Sequence, residues 1–600
     1  MEKQYGPKTA FAEQLDAEKY RIEGESFRDK CGRVAGSLKD NDTHYKEFRE
    51  IMLDQRFLPA GRVQAAMGAP KNVTPYNCFV SGTIPDSFTT PDNEFQSSIM
   101  HRAMEAAQTM RMGGGIGYDF STLRPRGDLI KKLMSQSSGP LQFMDIFNAV
   151  CRATSSSGNR RGAQMGVLRI DHPDVMEFIH SKQNTGSLNG FNISVAVTDD
   201  FMECLDSGKP FKTRFGGQVY GELDPAELWE NLMRSTWDWA EPGVLFVDTI
   251  NRMNNLWYCE TLAATNPCGE QPLPPFGACL LGSFNLTKYV VKNADGTYHF
   301  DLDYLISDIP AVVRAMDNIV DRATYPLPQQ EAEAKNKRRM GIGITGLANA
   351  LEACGLEYGT VAFAEKHAQI KHAITRHAYI ASAYLAQEKG AFPLFDKNKF
   401  CKGKFFATLD HDVQDLIRTY GLRNSHLISD APTGTISMTA DNISSSIEPV
   451  YKYAQEREVI MMGGKQTVPL YDYGFENFRV RGRRSSAGEV TPRQHIRVLL
   501  TSQNYTDSAV SKTVNTDGNV PWEDFKDLYL QAYLGGAKGC TTFNKDGKRM
   551  GLFKDIPEDR NIPFPNQEPE ISDNSYQPEM EVNYGMSCEF DPATGRRSCE

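Results

Sequence analysis

The chain has 600 residues, with 66 basic against 76 acidic side chains and a formal charge of −10. That length can bury a large core, and the mildly acidic balance disfavours a surface built to neutralise nucleic-acid phosphates, so small-molecule partners fit better and no nucleic-acid partner is expected. The opening Met1-Glu2-Lys3-Gln4-Tyr5 has no apolar stretch, and no later run approaches the ~18 apolar residues of a membrane span, so a cytoplasmic protein without membrane contact is expected.

Residues 1–45 read as a charged, helical N-terminal segment with no glycine-rich cradle for a nucleotide. From 46 to 556 helices alternate with short apolar strands such as Asn192–Val197 and Val244–Val247, which favours an α/β architecture with central parallel strands. Asp224, Pro225 and Glu227 mark a helix start, with Leu228 and Leu232 on one face. A second helix, from about Thr360 to Lys389, carries His367, His372 and His377. Steps of five residues turn about 140° around a helix, so these histidines fan out and do not form a metal site. The basic run Arg479, Arg481, Arg483 and Arg484 reads as a solvated loop. Residues 557–600 shift to Pro, Asn, Asp, Glu and Ser and read as a flexible tail carrying Cys588 and Cys599.

Twelve cysteines in a chain expected in a reducing compartment do not read as a disulfide scaffold. Cys31, Cys151, Cys204, Cys259, Cys354, Cys401 and Cys540 have no partner at motif spacing and read as ordinary buried thiols. Cys268 differs: in Asn266-Pro267-Cys268-Gly269-Glu270 it lies between an amide and a carboxylate, where Pro and Gly force a loop. Cys279 follows eleven residues later, and Cys78 lies far upstream in Tyr76-Asn77-Cys78-Phe79. A thiol protease would want a matched His, and a zinc site short Cys-x-x-Cys pairs; neither pattern appears, and redox work fits the spacing better. Pro432-Thr433-Gly434-Thr435-Ile436-Ser437 offers backbone N–H groups and hydroxyls in a tight turn that can cradle a diphosphate. Gly113, Gly114, Gly115 and Gly117 let backbone approach either a ligand or a crossing strand.

The run Asn266–Leu273 with Ala278–Leu286 after it resembles class II ribonucleotide reductases. Similar segments are Met112–Gly117, Ser121–Gly127, Gly158–Met165, Asp171–Asp174, Arg339–Leu347, Ala431–Ser437 and Lys538–Phe543, which together span roughly residues 50 to 545 in family order. The resemblance implies a ten-stranded α/β barrel, two parallel five-stranded halves set antiparallel, with Cys268 on a central finger loop. It implies that Cys268 becomes a thiyl radical that takes the ribose 3′ hydrogen, that Glu270 is the base at the 3′ hydroxyl and that Asn266 orients both. Cys78 and Cys279 would supply the reducing equivalents and end as a disulfide, which Cys588 and Cys599 would reset by exchange with a thioredoxin- or glutaredoxin-like reductant. Asn77, Gly115 and Pro432–Ser437 would bind the ribonucleotide, expected as a diphosphate.

The resemblance further implies dNTP or ATP effectors that set which base is reduced. Asp86 and Ser87, expected at a helix start, match the effector-ribose segment and Arg124 the phosphate-binding arginine, while Arg160, Arg161 and the stretch from Lys182 to Gly186 match the two signalling loops. A homodimer is expected from relatives.

The class served by a separate metal-bearing radical subunit has paired tyrosines where this chain reads Lys538-Gly-Cys-Thr-Thr-Phe543, and no glycyl-radical motif ends the chain. Adenosylcobalamin is therefore the expected cofactor. With no Asp-x-His-x-x-Gly run, no protein ligand to cobalt and no other metal site is expected. A class I catalytic subunit is the alternative, and a non-catalytic nucleotide-binding protein of the same fold a second one, disfavoured by the intact set Cys78, Cys268, Cys279 and Glu270.

Overall fold

The computed structural model describes residues 5–89, 98–131, 133–155, 163–183, 187–461, 464–478, 486–548, 589–591 and 596–598. Arg160, Arg161, Cys588 and Cys599 lie outside the described residues, as do Arg479, Arg481, Arg483, Arg484 and most of the expected tail.

The strands that position the site are, in chain order, β1 (Phe57–Pro59), β2 (Cys78–Val80), β3 (Gly115–Asp119), β4 (Gln164–Arg169), β5 (Phe191–Val197), β6 (Gly243–Phe246), β7 (Ala264–Thr265), β8 (Pro272–Leu273), β9 (Ala278–Cys279), β10 (Leu281–Asn285), β11 (Gly341–Thr345), β12 (Thr513–Thr516) and β13 (Gly539–Asn544). One eight-stranded sheet has the order β9-β2-β3-β4-β5-β6-β13-β12, and β1-β10-β11 form a three-stranded sheet. β2 to β6 are parallel neighbours. Every residue of β5, Phe-Asn-Ile-Ser-Val-Ala-Val, is buried, as expected of a parallel strand covered on both faces.

The sheet direction reverses twice. At β6/β13 Val244 lies opposite Cys540 in antiparallel register, and at β9/β2 Cys279 lies opposite Cys78. β13 is parallel to β12, and β10, which follows β9 after Leu280, is parallel to β11. Isolated parallel bridges join Ile342 of β11 to Ile428, and Asp430 to Val510 just before β12.

Helices cover these strands. The marked start at Asp224 holds: its carboxylate accepts from Ala226 N at 2.9 Å and caps the helix Pro225–Trp239. The helix Val361–Lys389 begins at its cap Thr360, and its histidines do fan out: His367 is fully buried, whereas His372 is exposed and faces Asp410. Burial in an apolar setting pushes His367 down to about 3, so it is neutral. At the N-terminus α1 (Ala10–Tyr20), α2 (Phe27–Leu38) and α3 (Asp42–Leu53) follow one another. α3 runs through residue 45, and Cys31, Val34, Phe48 and Ile51 join the same core cluster as the strands, so the segment shares the main core.

Two local expectations differ from the structure. Asp86 and Ser87 lie in a loop, and the next described helix starts at Ile99. The strand expected over Val244–Val247 ends at Phe246, and Val247 opens a short helix. Among the described residues no helix is long and apolar enough to cross a membrane.

Candidate active site

β7 and β8 pair as an antiparallel hairpin whose tip is Asn266–Gln271. The tip is self-clamped: Asn266 Oδ1 accepts from Gln271 N at 3.0 Å, and Gly269 N donates to Asn266 O at 3.1 Å. Gly269 has φ +83°, left-handed backbone that favours glycine. Three segments of the chain then hold the tip. Asn192 Nδ2 of β5 donates to Pro267 O at 3.1 Å, Ser429 Oγ donates to Glu270 O at 3.0 Å, and Ala509 N donates to the same carbonyl at 2.9 Å.

Glycine admits the hairpin. A Cβ on Gly117 would stand 1.8 Å from Thr265 O, and one on Gly115 would stand 3.2 Å from both Cys78 Sγ and Pro267 Cγ. Of the two uses open to this glycine run, close approach of a crossing strand is what Gly117 shows.

Cys268 is 7% exposed at the tip, and the opposed Cys78 and Cys279 are 1% and 0% exposed. None of the three is in a disulfide. Residues directly opposite in an antiparallel pair have Cα atoms ~4.5–5.5 Å apart, inside the range a disulfide spans. Burial raises the Cys279 thiol well above its ordinary value, and the nearby Glu270, Cys78 and Cys268 push the same way. A resting thiol there is protonated and carries a hydrogen atom.

Glu270 is 1% exposed, and burial pushes its carboxyl up to about 7, against a smaller opposing pull from hydrogen bonds of its own backbone and Asn266. Asn266 Nδ2 and Glu270 Oε2 nevertheless lack a hydrogen bond of good geometry, as do Asn77 Oδ1 and Gln271 Nε2. Orphaned buried polar atoms are costly and call for a partner. Donors and acceptors of both kinds, gathered beside three thiols, suit a ligand rich in hydroxyls.

The turn Pro432–Ser437 becomes the short helix Gly434–Met438, whose first-turn N–H groups have no acceptor inside the helix and receive no cap from Thr433. It follows the strand segment around Ile428–Asp430, whose Ser429 touches the Glu270 backbone, so turn and hairpin share one scaffold.

Asp86 and Arg124 form an ion pair at 2.7 Å, and Asp86 also accepts from Arg124 N. Ser87 Oγ donates to Thr89 O at 3.3 Å. Lys182 pairs at 2.7 Å with the buried Glu241, which ties it inward to the base of β6. The structure thus brings Asn77, Cys78, Gly115, Asn266, Cys268, Glu270 and Cys279 together and keeps Asp86, Ser87, Arg124 and Lys182 apart from them. Asn192, Gln271 and Ser429 are site residues that sequence reasoning missed. For Asn192 a signal existed: with Ser194 it is one of two polar side chains, both on one face, in a strand otherwise apolar.

A buried thiol on a threaded hairpin, a carboxyl raised by burial and an opposed pair of thiols mark an α/β protein whose site suits thiol redox chemistry. Residues 77–543 match the family described as ribonucleotide reductase, barrel domain, and the chain belongs to that family. It is 32% identical over 498 residues to a vitamin B12-dependent ribonucleoside-diphosphate reductase of Mycobacterium tuberculosis, covering 78% of this chain and 69% of the relative. It is 30% identical over 544 residues to the protein of that name from Thermoplasma acidophilum, covering 85% and 66%. A vitamin B12-dependent ribonucleotide reductase of Streptomyces clavuligerus is 24% identical over 614 residues, covering 89% and 62%.

Proposed function

We propose that this chain reduces ribonucleoside diphosphates to 2′-deoxyribonucleotides by thiyl-radical chemistry and depends on adenosylcobalamin. The observation that carries the reading is the convergence, in one buried place, of Cys268, Glu270 and the opposed Cys78–Cys279 pair. Cys268 Sγ takes the 3′ hydrogen atom while Glu270 accepts the 3′ hydroxyl proton. The 2′ hydroxyl leaves as water with a proton from the thiol pair. Cys78 and Cys279 give up two hydrogen atoms in all, one as the proton that leaves with the water and one to C2′, and become a disulfide; Glu270 returns its proton to the 3′ oxygen and Cys268 its hydrogen to C3′, which regenerates the thiyl. Asn77, Gly115, Asn266 and the Pro432–Ser437 turn position the nucleotide.

Small residues on β5, β6 and β13 fit the cofactor. Where paired tyrosines would stand, Thr541 faces Gly243 and Ser194, and a Cβ on Gly243 would meet Ser194 Oγ at 2.9 Å and Thr541 Oγ1 at 3.4 Å. Ser194 is on the same face of β5 as Asn192, which grips Pro267. These small side chains with hydroxyls would hold the adenosyl group. Adenosylcobalamin, when bound, supplies the radical that oxidises the Cys268 thiol. The vitamin B12 dependence in the relatives' names favours this over a class I subunit.

The strand pairings support a closed ten-stranded barrel. β2 to β6 form one parallel half. β13, β12 with Val510, the Ile428–Asp430 segment, β11 and β9/β10 form the other, and the two antiparallel junctions are the seams. Cys588 and Cys599 flank two paired strands, Glu589–Asp591 and Arg596–Ser598, the second of which lies against the Gly434–Met438 helix. That placement supports a tail shuttle serving a thioredoxin- or glutaredoxin-like reductant. For a dNTP or ATP effector site with Asp86, Ser87, Arg124, Arg160, Arg161 and Lys182, the support is the Asp86–Arg124 pair. Phe88, Leu129, Leu133 and Met134 are exposed near it, an apolar surface suited to a second copy of the chain.

The test is turnover of a ribonucleoside diphosphate with a dithiol, with and without adenosylcobalamin. Product should require the corrinoid, and Cys268→Ser should abolish product while nucleotide binding persists. Turnover without corrinoid, or only with an iron-bearing second subunit, refutes the cofactor assignment; an active Cys268→Ser refutes the mechanism.

A further inference from the structure

We propose that Ser446 is a substrate-binding residue whose hydroxyl donates to the diphosphate of the nucleotide; this rests on the reading of Pro432–Ser437 as the phosphate turn.

Thr345 Oγ1 donates to Ser444 O at 3.2 Å, so in its 2.7 Å contact with Thr433 Oγ1 the proton comes from Thr433. Thr433 Oγ1 in turn accepts from Ser446 N at 2.7 Å. Its proton is spent inside the chain. Ser437 Oγ donates to Gly434 O at 2.8 Å, and Thr439 Oγ1 to Ile436 O at 3.1 Å. An anion needs donors, and these hydroxyls have none left.

Ser446 differs from these four. It is 1% exposed, its Oγ has no hydrogen-bond partner, and its backbone N–H is anchored on Thr433 and Thr345, at the mouth of the turn. Its φ of +48° is left-handed, a conformation costly for any residue with a Cβ. A buried hydroxyl with an unspent proton is destabilising unless something accepts from it. A phosphate oxygen on the adjoining turn is that acceptor, and the hydroxyl adds a side-chain donor to the first-turn N–H groups of the helix Gly434–Met438.

Calorimetric binding of CDP and of cytidine to wild type, Ser446→Gly and Ser446→Ala tests this. Glycine accepts the left-handed backbone, so that variant folds. Loss of one hydrogen bond to a charged group weakens CDP binding about 10-fold in both variants and leaves cytidine binding unchanged. Unchanged CDP affinity overturns the proposal. Equal losses for CDP and cytidine overturn it too, since the hydroxyl then serves the sugar or the fold. If wild type binds CDP no tighter than cytidine, the phosphate-turn reading itself fails and takes this one with it.

Discussion

Glu270 owes its chemistry to dehydration. A carboxyl near 7 is half ionised at neutral pH, and an active-site base of that strength can both take and return a proton. Activity should therefore rise as pH increases through about 7 and then level. Glu270→Gln should cost about 10²- to 10⁴-fold in turnover and remove that limb from the pH–rate profile. Stability follows the same group with opposite sign. The folded-state value is raised, so its contribution is fully present below the ordinary carboxyl range and is lost as pH rises through about 7. The melting temperature of Glu270→Gln should gain on that of wild type between pH 6 and 8; a constant difference across that range shows that Glu270 is not desolvated.

At the scale of elements, the hairpin β7–β8 is placed by what its neighbours lack. Gly117→Ala puts a methyl carbon 1.8 Å from Thr265 O, backbone that cannot rotate away, so the hairpin must shift. Displacing a reacting group by ~1 Å costs about 100-fold, and that loss is the expected one, with the circular-dichroism spectrum retained. Gly488→Ala, with open space at its Cβ position, should leave turnover unchanged. Equal activity in the two variants shows that the hairpin tolerates the shift. In the sequence, Gly117 stood among four glycines with two readings, because composition does not reveal which backbone passes a given residue.

For the whole molecule, what matters is how the strand segment around Ile428–Asp430, which leads into the phosphate turn, is fixed from behind. Lys371, on the helix Val361–Lys389, reaches Asp430 with Nζ–Oδ distances of 2.9 and 2.8 Å, both side chains are 0% exposed, and Ser502 Oγ donates to the same carboxylate. Lys371→Met leaves a buried carboxylate without its cation, which costs about 3–5 kcal/mol. Denaturant unfolding should show that loss; a change below about 1 kcal/mol would place the pair with surface ion pairs in strength. A chemical role for the thiols needs this rigidity, since strands from both parallel sets meet around one hairpin.

The linear order of residues already contained the core of the proposed reactive set. Cys268 and Glu270 are two apart on a loop that Pro267 and Gly269 enforce, and the helix starts at Asp224 and Thr360 are local capping signals, legible because their causes lie within a few residues. Tertiary structure alone decided the rest. Cys78 and Cys279 are two hundred residues apart and become a pair only through the β2/β9 register. The Glu270 carboxyl is pushed up to about 7 only because packing strips its water. Ser446 Oγ is left buried without a partner by a fold that ties its backbone N–H to Thr433 and to Thr345, which is far away in sequence. Register, desolvation and hydrogen-bond saturation depend on distant neighbours, and no local pattern encodes them.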